Sequence, residues 1–191
     1  MKAILIDTTS SALTVAYFDD ERVLFSVQEV GKSGHSAVLM PTLDALLKNN
    51  GLRIDAVDTV GVVVGPGSFT GIRIGVATAT ALAFSLNAKR ISVTSFELLA
   101  YSRQKQDVAV DAGHGNLYVA HVENGKVVST DFIDGEASKS VDRSKFAFEP
   151  VGDVANTLVS VAKEKAQNGE YVSVFEPYYM RKSQAEREKG L

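Results

Sequence analysis

"ILIDTTSSALTVAYFDD" (residues 4–20) returns 104 positions later as "VAVDAGHGNLYVAHVEN" (residues 108–124). Asp7 falls on Asp111, Leu13 on Leu117, Val15 on Val119, Ala16 on Ala120 and Phe18 on Val122. Each copy reads as an apolar strand, an Asp, a short polar turn and a second apolar strand. Register kept through the turn favours an internal duplication over chance. Two halves that open in the same way predict a duplicated α/β fold with a cleft between the halves.

Outward from the first copy, residues 2–6 and 12–18 read as strands, "DDE" (19–21) as a turn and 23–30 as a third strand, giving an antiparallel meander. After a loop at 31–36, Leu39, Leu43, Leu46 and Leu47 recur at helical spacing until Gly51. Pro41 fits such a helix only within its first turn. "TVGVVV" (59–64) is a β-branched run suited to a central strand buried on both faces. A helix over 70–86, a strand over 89–93 and a short helix over 95–102 capped by Ser95 complete the first half. Beyond the second hairpin, residues 134–149 lose periodicity and 154–167 read as a helix. The expected units are 1–103, a shortened second subdomain over 104–175, and a charged helix or tail over 176–191.

Bulk properties narrow the functions. The chain has 191 residues, 45% of them apolar, and a formal net charge of −3. No global field draws it to nucleic acid or to an anionic membrane. With no Cys, disulfides, thiolate metal sites and Cys nucleophiles are excluded. The first apolar stretch breaks at Asp7, too early for a signal peptide, and no run approaches the ~18 apolar residues of a membrane span. A cytoplasmic location is expected.

Chemistry-bearing groups are few. "VGPGSFTGI" (64–72) feeds a buried strand through a glycine turn into a helix. Gly65 and Gly67 allow close backbone approach, Ser68 or Thr70 could cap the helix, and free amides there suit a phosphate. Neither a P-loop nor a dinucleotide fingerprint is present, so an ordinary tight turn is the competing reading. Asp7, with Thr8 and Thr9, and Asp111, with Gly113, could flank a nucleotide cleft, or could each accept bonds from their own turn. His35, His114 and His121 lack metal-ligand spacing, and no G-x-S-x-G elbow occurs. On the helix after the glycine turn, Gly71, Gly75, Thr78, Ala79 and Leu82 share a small-residue face, with Ile72, Val76 and Ala83 on another. No charge follows Arg73 until Lys89. Such a face suits a helix–helix seam, inside the chain or, as we expect here, with another chain, with Leu39 and Leu43 as neighbours. On that reading a bulky residue at Gly75 would disrupt association before folding.

Together "ILIDTTSSALTVAYFDD", "VGPGSFTGIRIGVATATALAF", "VDAGHGNLYVA" and "EPYYMR" resemble the TsaB (YeaZ) family, accessory proteins of tRNA threonylcarbamoyladenosine biosynthesis. The resemblance runs through most of the first 125 residues and returns at 176–181; the stretch 134–167 carries little of it and is shorter than is usual in the family. It implies an actin-like, sugar-kinase-like (ASKHA, RNase H-like) fold of two subdomains, a non-catalytic role beside the transferase TsaD and the ATPase TsaE, and a homodimer when alone. Contact with tRNA would come only through the complex, with no membrane. TsaD holds its metal partly through an H-x-x-x-H motif; Ser95 and Leu99 stand at the corresponding positions here. The resemblance therefore implies no catalytic residue, no metal and no cofactor in this chain, with room for a nucleotide at the boundary with TsaD. The Asp7, Thr8, Thr9, Gly65, Gly67, Ser68, Asp111 and Gly113 loops would be vestigial. Competing readings are an ASKHA phosphotransferase or ATPase using Asp7 and Asp111, a metalloprotease, disfavoured by the histidine spacing, and an RNA-binding module, disfavoured by the charge.

Overall fold

In the computed structural model, which describes residues 1–31 and 34–181, nine strands form two mixed sheets. The first contains β1 (Ala3–Asp7), β2 (Ala12–Phe18), β3 (Val23–Glu29), β4 (Thr59–Val63) and β5 (Lys89–Val93), in the order β3-β2-β1-β4-β5. β1, β2 and β3 form an antiparallel meander, and β1 pairs β4 and β4 pairs β5 in parallel. The second contains β6 (Asp107–Asp111), β7 (Leu117–Glu123), β8 (Lys126–Ile133) and β9 (Phe146–Ala147), in the order β8-β7-β6-β9. β6 is antiparallel to β7 and parallel to β9, so the second sheet repeats the first without its last strand. This is the duplicated two-subdomain α/β architecture of the ASKHA type.

The repeat of elements does not extend to the residue register. Asp7 stands opposite Thr14, and Ile6 opposite Val15. In the second hairpin Asp111 stands opposite Leu117, and Val110 opposite Tyr118. The second hairpin is thus one residue tighter, and Val119, matched to Val15 by sequence, stands opposite Ala109 instead. A slip of one residue moves a side chain to the other face of a sheet. The matches of Leu13 with Leu117 and Val15 with Val119 are therefore not structural equivalences.

β1 and β4 are buried throughout because helices cover both faces of the first sheet. On one face Ile4, Ile6, Val15, Tyr17, Val60 and Val62 meet α1 (His35–Asn49) and α2 (Phe69–Ser85). Across the sheet, Leu5, Ala16, Phe18, Val63 and Val93 meet Leu158, Val159, Val161 and Ala162 of α5 (Val154–Gln167). α5 was expected in the second subdomain, yet it lies on the first sheet. A third core joins Phe96, Leu99 and Ala100 of α3 (Ser95–Ala100) to Val108, Ala120 and Val122 of the second sheet. A four-residue helix, α4 (Gly135–Ser138), occupies part of the aperiodic stretch, capped by Asp134.

Two local expectations are corrected. α1 begins at His35, so Pro41 is its seventh residue rather than part of its first turn. Both Pro41 and Ala37, whose carbonyl loses its helical partner, are exposed, so the unpaired carbonyl is open to solvent rather than buried. α3 is capped by Thr94, not Ser95: the Thr94 hydroxyl accepts from the Glu97 amide while the Glu97 carboxylate accepts from the Thr94 amide. After α5 the chain runs back along the first sheet, with Val172 N donating to Arg90 O, and Phe175 enters the first core. Residues 182–191, most of the expected charged tail, lie outside the described residues.

Candidate functional site: the cleft between the sheets

The two Asp-containing turns face one another across a cleft of about 1660 Å³. Asp7, Thr9, Gly67, Ser68, Asp111 and Gly113 all line it, so most of the loop residues singled out in the sequence converge there. Thr8 and Gly65 do not. Thr8 turns inward, its hydroxyl donating to Gly71 O at 2.7 Å. Gly65 lies beneath the C-terminal segment: a Cβ there would come within 2.8 Å of Tyr178 O and 2.7 Å of Ile72 Cδ1.

The first turn and the glycine turn are stitched together. Ser68 N donates to Thr9 O at 2.7 Å, and Ser95 Oγ lies 3.4 Å from Thr9 Oγ1. The Ser68 hydroxyl caps α2 by accepting from Gly71 N at 3.1 Å. A Cβ at Gly71 would overlap Thr8 O, and one at Gly75 would overlap Thr8 Oγ1 and stand 3.4 Å from Val62 Cγ2. These glycines therefore let the start of α2 lie directly on the turn that follows β1.

Asp7 is 6% exposed, and its Oδ1 accepts from Thr9 N at 2.8 Å and Thr9 Oγ1 at 2.7 Å. Burial pushes its carboxyl above the usual range, although both Thr9 bonds and the charge of His35 pull the other way. Asp111 is exposed and accepts from Gly113 N at 2.7 Å; Asn116 Nδ2 closes that turn on Gly113 O at 2.6 Å. Each Asp thus bonds its own turn, as in the simpler of the two readings, and each still faces the cleft. Glu29 and Glu149 also line the cleft, with Arg181, His35 and His114 as the basic groups. A polyphosphate would meet four carboxylates there and would need a cation to offset them. Ser95 is 7% exposed and donates its amide to Gly65 O, while Leu99 is 5% exposed in the third core. Among the described residues, no group of three or more His, Asp or Glu side chains is placed to hold a metal.

The expected seam faces inward. Leu39 and Leu43 (each 1% exposed), Ala79 (0%) and Leu82 (9%) belong to the first core, and Gly71 and Gly75 are buried against Thr8. Thr78 alone of that set is half-buried. Small residues are needed on this face because the partner of the helix is the chain's own sheet and turn. Arg73, Ala77, Thr80, Ala81 and Phe84 point outward instead, and Phe84 is 81% exposed.

Sequence reasoning missed the part played by Tyr178–Arg181 in the cleft wall, although "EPYYMR" had stood out as part of the resemblance. Its role depends on contacts more than 40 residues away, which no periodicity encodes. No helix among the described residues is long and apolar enough to cross a membrane.

The family model for TsaD, tRNA N6-adenosine threonylcarbamoyltransferase, matches residues 27–149. The protein is 31% identical over 133 residues to tRNA threonylcarbamoyladenosine biosynthesis protein TsaB of Haemophilus influenzae, covering 66% of this chain and 56% of that one. The Bacillus subtilis TsaB is 33% identical over 122 residues, covering 62% of this chain and 53% of its own. With Escherichia coli TsaB the identity is 25% over 167 residues, 84% of this chain and 71% of the relative. The match thus spans little more than half the length of the first two relatives. Among solved structures, a protein described as similar to peptidase YeaZ from Pseudomonas aeruginosa superposes with a TM-score of 0.79 at 23% identity, covering 94% of this chain and 99% of its own. YeaZ from Pseudomonas aeruginosa gives 0.74 at 21% identity, covering 90% and 96%. At these identities the two structures speak for the fold, and the sequence matches speak for descent. The chain belongs to the TsaB (YeaZ) family.

Proposed function

We propose that this protein is a non-catalytic partner of TsaD in forming threonylcarbamoyladenosine in the anticodon loop of tRNA, acting with the ATPase TsaE. Membership of the TsaB family is the observation that carries this reading. The chemistry of the cleft is in keeping with it. The glycine turn spends the Ser68 and Gly71 amides on bonds within the chain, and Ser95 and Leu99 stand where the family resemblance would put the H-x-x-x-H motif of TsaD.

The contact with TsaD belongs on the outward face of α2. Beyond Arg73, the residues Ala77, Thr80, Ala81 and Phe84 keep that face uncharged, and the Phe84 ring, 81% exposed, offers an apolar anchor for a partner. The same face would pair two copies when the protein is alone. Any nucleotide would sit at the boundary with TsaD, and tRNA would be reached only through the complex. A Phe84→Asp variant tests this in a pull-down with TsaD. Because the ring is in solvent, folding should be unchanged while association falls at least ~10-fold. Unaltered association would remove the α2 face from the contact.

A second reading, an ATPase or phosphotransferase using Asp7 and Asp111, is favoured by one fact: both carboxylates line a single cleft. ATP turnover by the purified chain, abolished by Asp7→Asn or Asp111→Asn, would replace the partner reading.

A further inference from the structure

The C-terminal segment from Phe175 to Arg181 touches both halves of the molecule. On the first subdomain, Phe175 is buried in the core, and Tyr178 N donates to Val64 O at 2.8 Å. The ring of Tyr179 stacks on Phe69 with centroids 4.8 Å apart, and Arg73 Nε donates to the Tyr179 hydroxyl at 3.3 Å. On the second subdomain, Met180 packs into the third core and Arg181 lies 4.1 Å over the ring of Phe132. Tyr178 packs against both the first and the third cores, and its hydroxyl lies 3.4 Å from that of Thr130 on β8.

The glycine turn is shaped to receive this segment. A Cβ at Gly65 would stand 2.8 Å from Tyr178 O, and Gly65 has a φ of +112°, where side chains are strained. Phe69 and Arg73, from the same motif, supply the stack and the donor that hold Tyr179. Elsewhere the halves are joined through α3, whose Leu98 packs on the first sheet and whose Leu99 packs on the second, and by the chain itself where it passes from β9 back to α5. A short helix and a chain crossing would still allow hinging; a further line of packed contact at the cleft restricts that freedom.

We propose that Phe175–Arg181 is a clasp that fixes the opening of the cleft between the two halves, with Tyr178 as its pin and the Gly65 turn as its seat. The cleft can then widen or close only if Tyr178 and Met180 leave the second subdomain. This inference concerns the chain alone and does not depend on its partner.

The absence of Cys makes the test direct, because spin labels can be placed at Ser36→Cys on α1 and Lys139→Cys after α4, both exposed, in the 191-residue chain. Electron–electron resonance distances should form one narrow distribution in this background. Adding Tyr178→Ala with Met180→Ala should lengthen it and broaden it about twofold, with exchange of the Val64-bonded amide at position 178 accelerated at least ~10-fold. If that variant fails to fold, Tyr179→Ala with Arg181→Ala decides, since it removes the ring contact with Phe69, the Arg73 bond to the Tyr179 hydroxyl and the cation–π contact while leaving Tyr178 and Met180 in place. It should broaden the distribution in the same direction. An unchanged distribution in a folded variant of either pair would overturn the proposal.

Discussion

Asp7 lies at the end of a central strand with its carboxyl buried and both Thr9 donors on one oxygen. Burial holds its folded pKa above the value of 3.8 that an unperturbed Asp has. For a group raised in this way, the native state binds the proton more tightly than the unfolded chain. Its favourable contribution is complete below the unfolded pKa and is lost as pH rises through the folded one. As pH rises through the folded pKa, charging this buried carboxyl therefore costs stability relative to a neutral isostere. Asp7→Asn should raise the urea midpoint more near ~pH 7 than near ~pH 4, since the penalty on the native carboxyl grows as pH rises from the unfolded pKa through the raised folded one. A variant less stable than the parent at neutral pH would show that the Thr9 bonds outweigh burial. The position of Asp7 was legible from its place between an apolar run and a polar turn. Its partners were only partly so: an Asx bond to Thr9 follows from local spacing, whereas Ser95, 86 positions away, comes near Thr9 only through the fold.

For whole elements, periodicity located the strands and helices of the first half well, because a strand buried on both faces and a helix on a sheet leave strong apolar signatures. It misjudged what the small face of α2 is for. A run of Gly71, Gly75 and Ala79 announces close approach and is silent about what approaches; here it is Thr8 and β4 of the same chain. Gly75→Val should therefore destabilise folding by about 1–3 kcal/mol through overpacking, measured as a lower denaturation midpoint. Normal folding with lost association would restore the seam to that face. The hairpin register was also beyond reach, since the one-residue difference lies in the geometry of the Asp111–Asn116 turn rather than in the apolar pattern of β7. The caps divide similarly. Thr94 and Glu97 form a capping box visible in sequence, but Ser95 beside them offered an equally good hydroxyl.

At the scale of the molecule, the duplication was legible and its consequences for packing were not. The second sheet repeats the strand order of the first, while α5 crosses back to cover the first sheet and the C-terminal segment returns to the cleft. Both returns are long-range contacts, settled by which apolar face remains uncovered once the local units have formed. What results is an ASKHA-type frame whose glycine turn serves as a structural junction, meeting Thr8 and Thr9 on one side and Tyr178 on the other. The exposed ring of Phe84 leaves α2 with an outward face free to meet a partner. The central claim is that this frame supports tRNA modification rather than carrying out chemistry of its own. Mass spectrometry of total tRNA from cells depleted of this protein tests it most directly. The account predicts that threonylcarbamoyladenosine is lost and is restored by the intact chain, including one carrying Asp111→Asn in the cleft. An unchanged level of the nucleoside after depletion would contradict it.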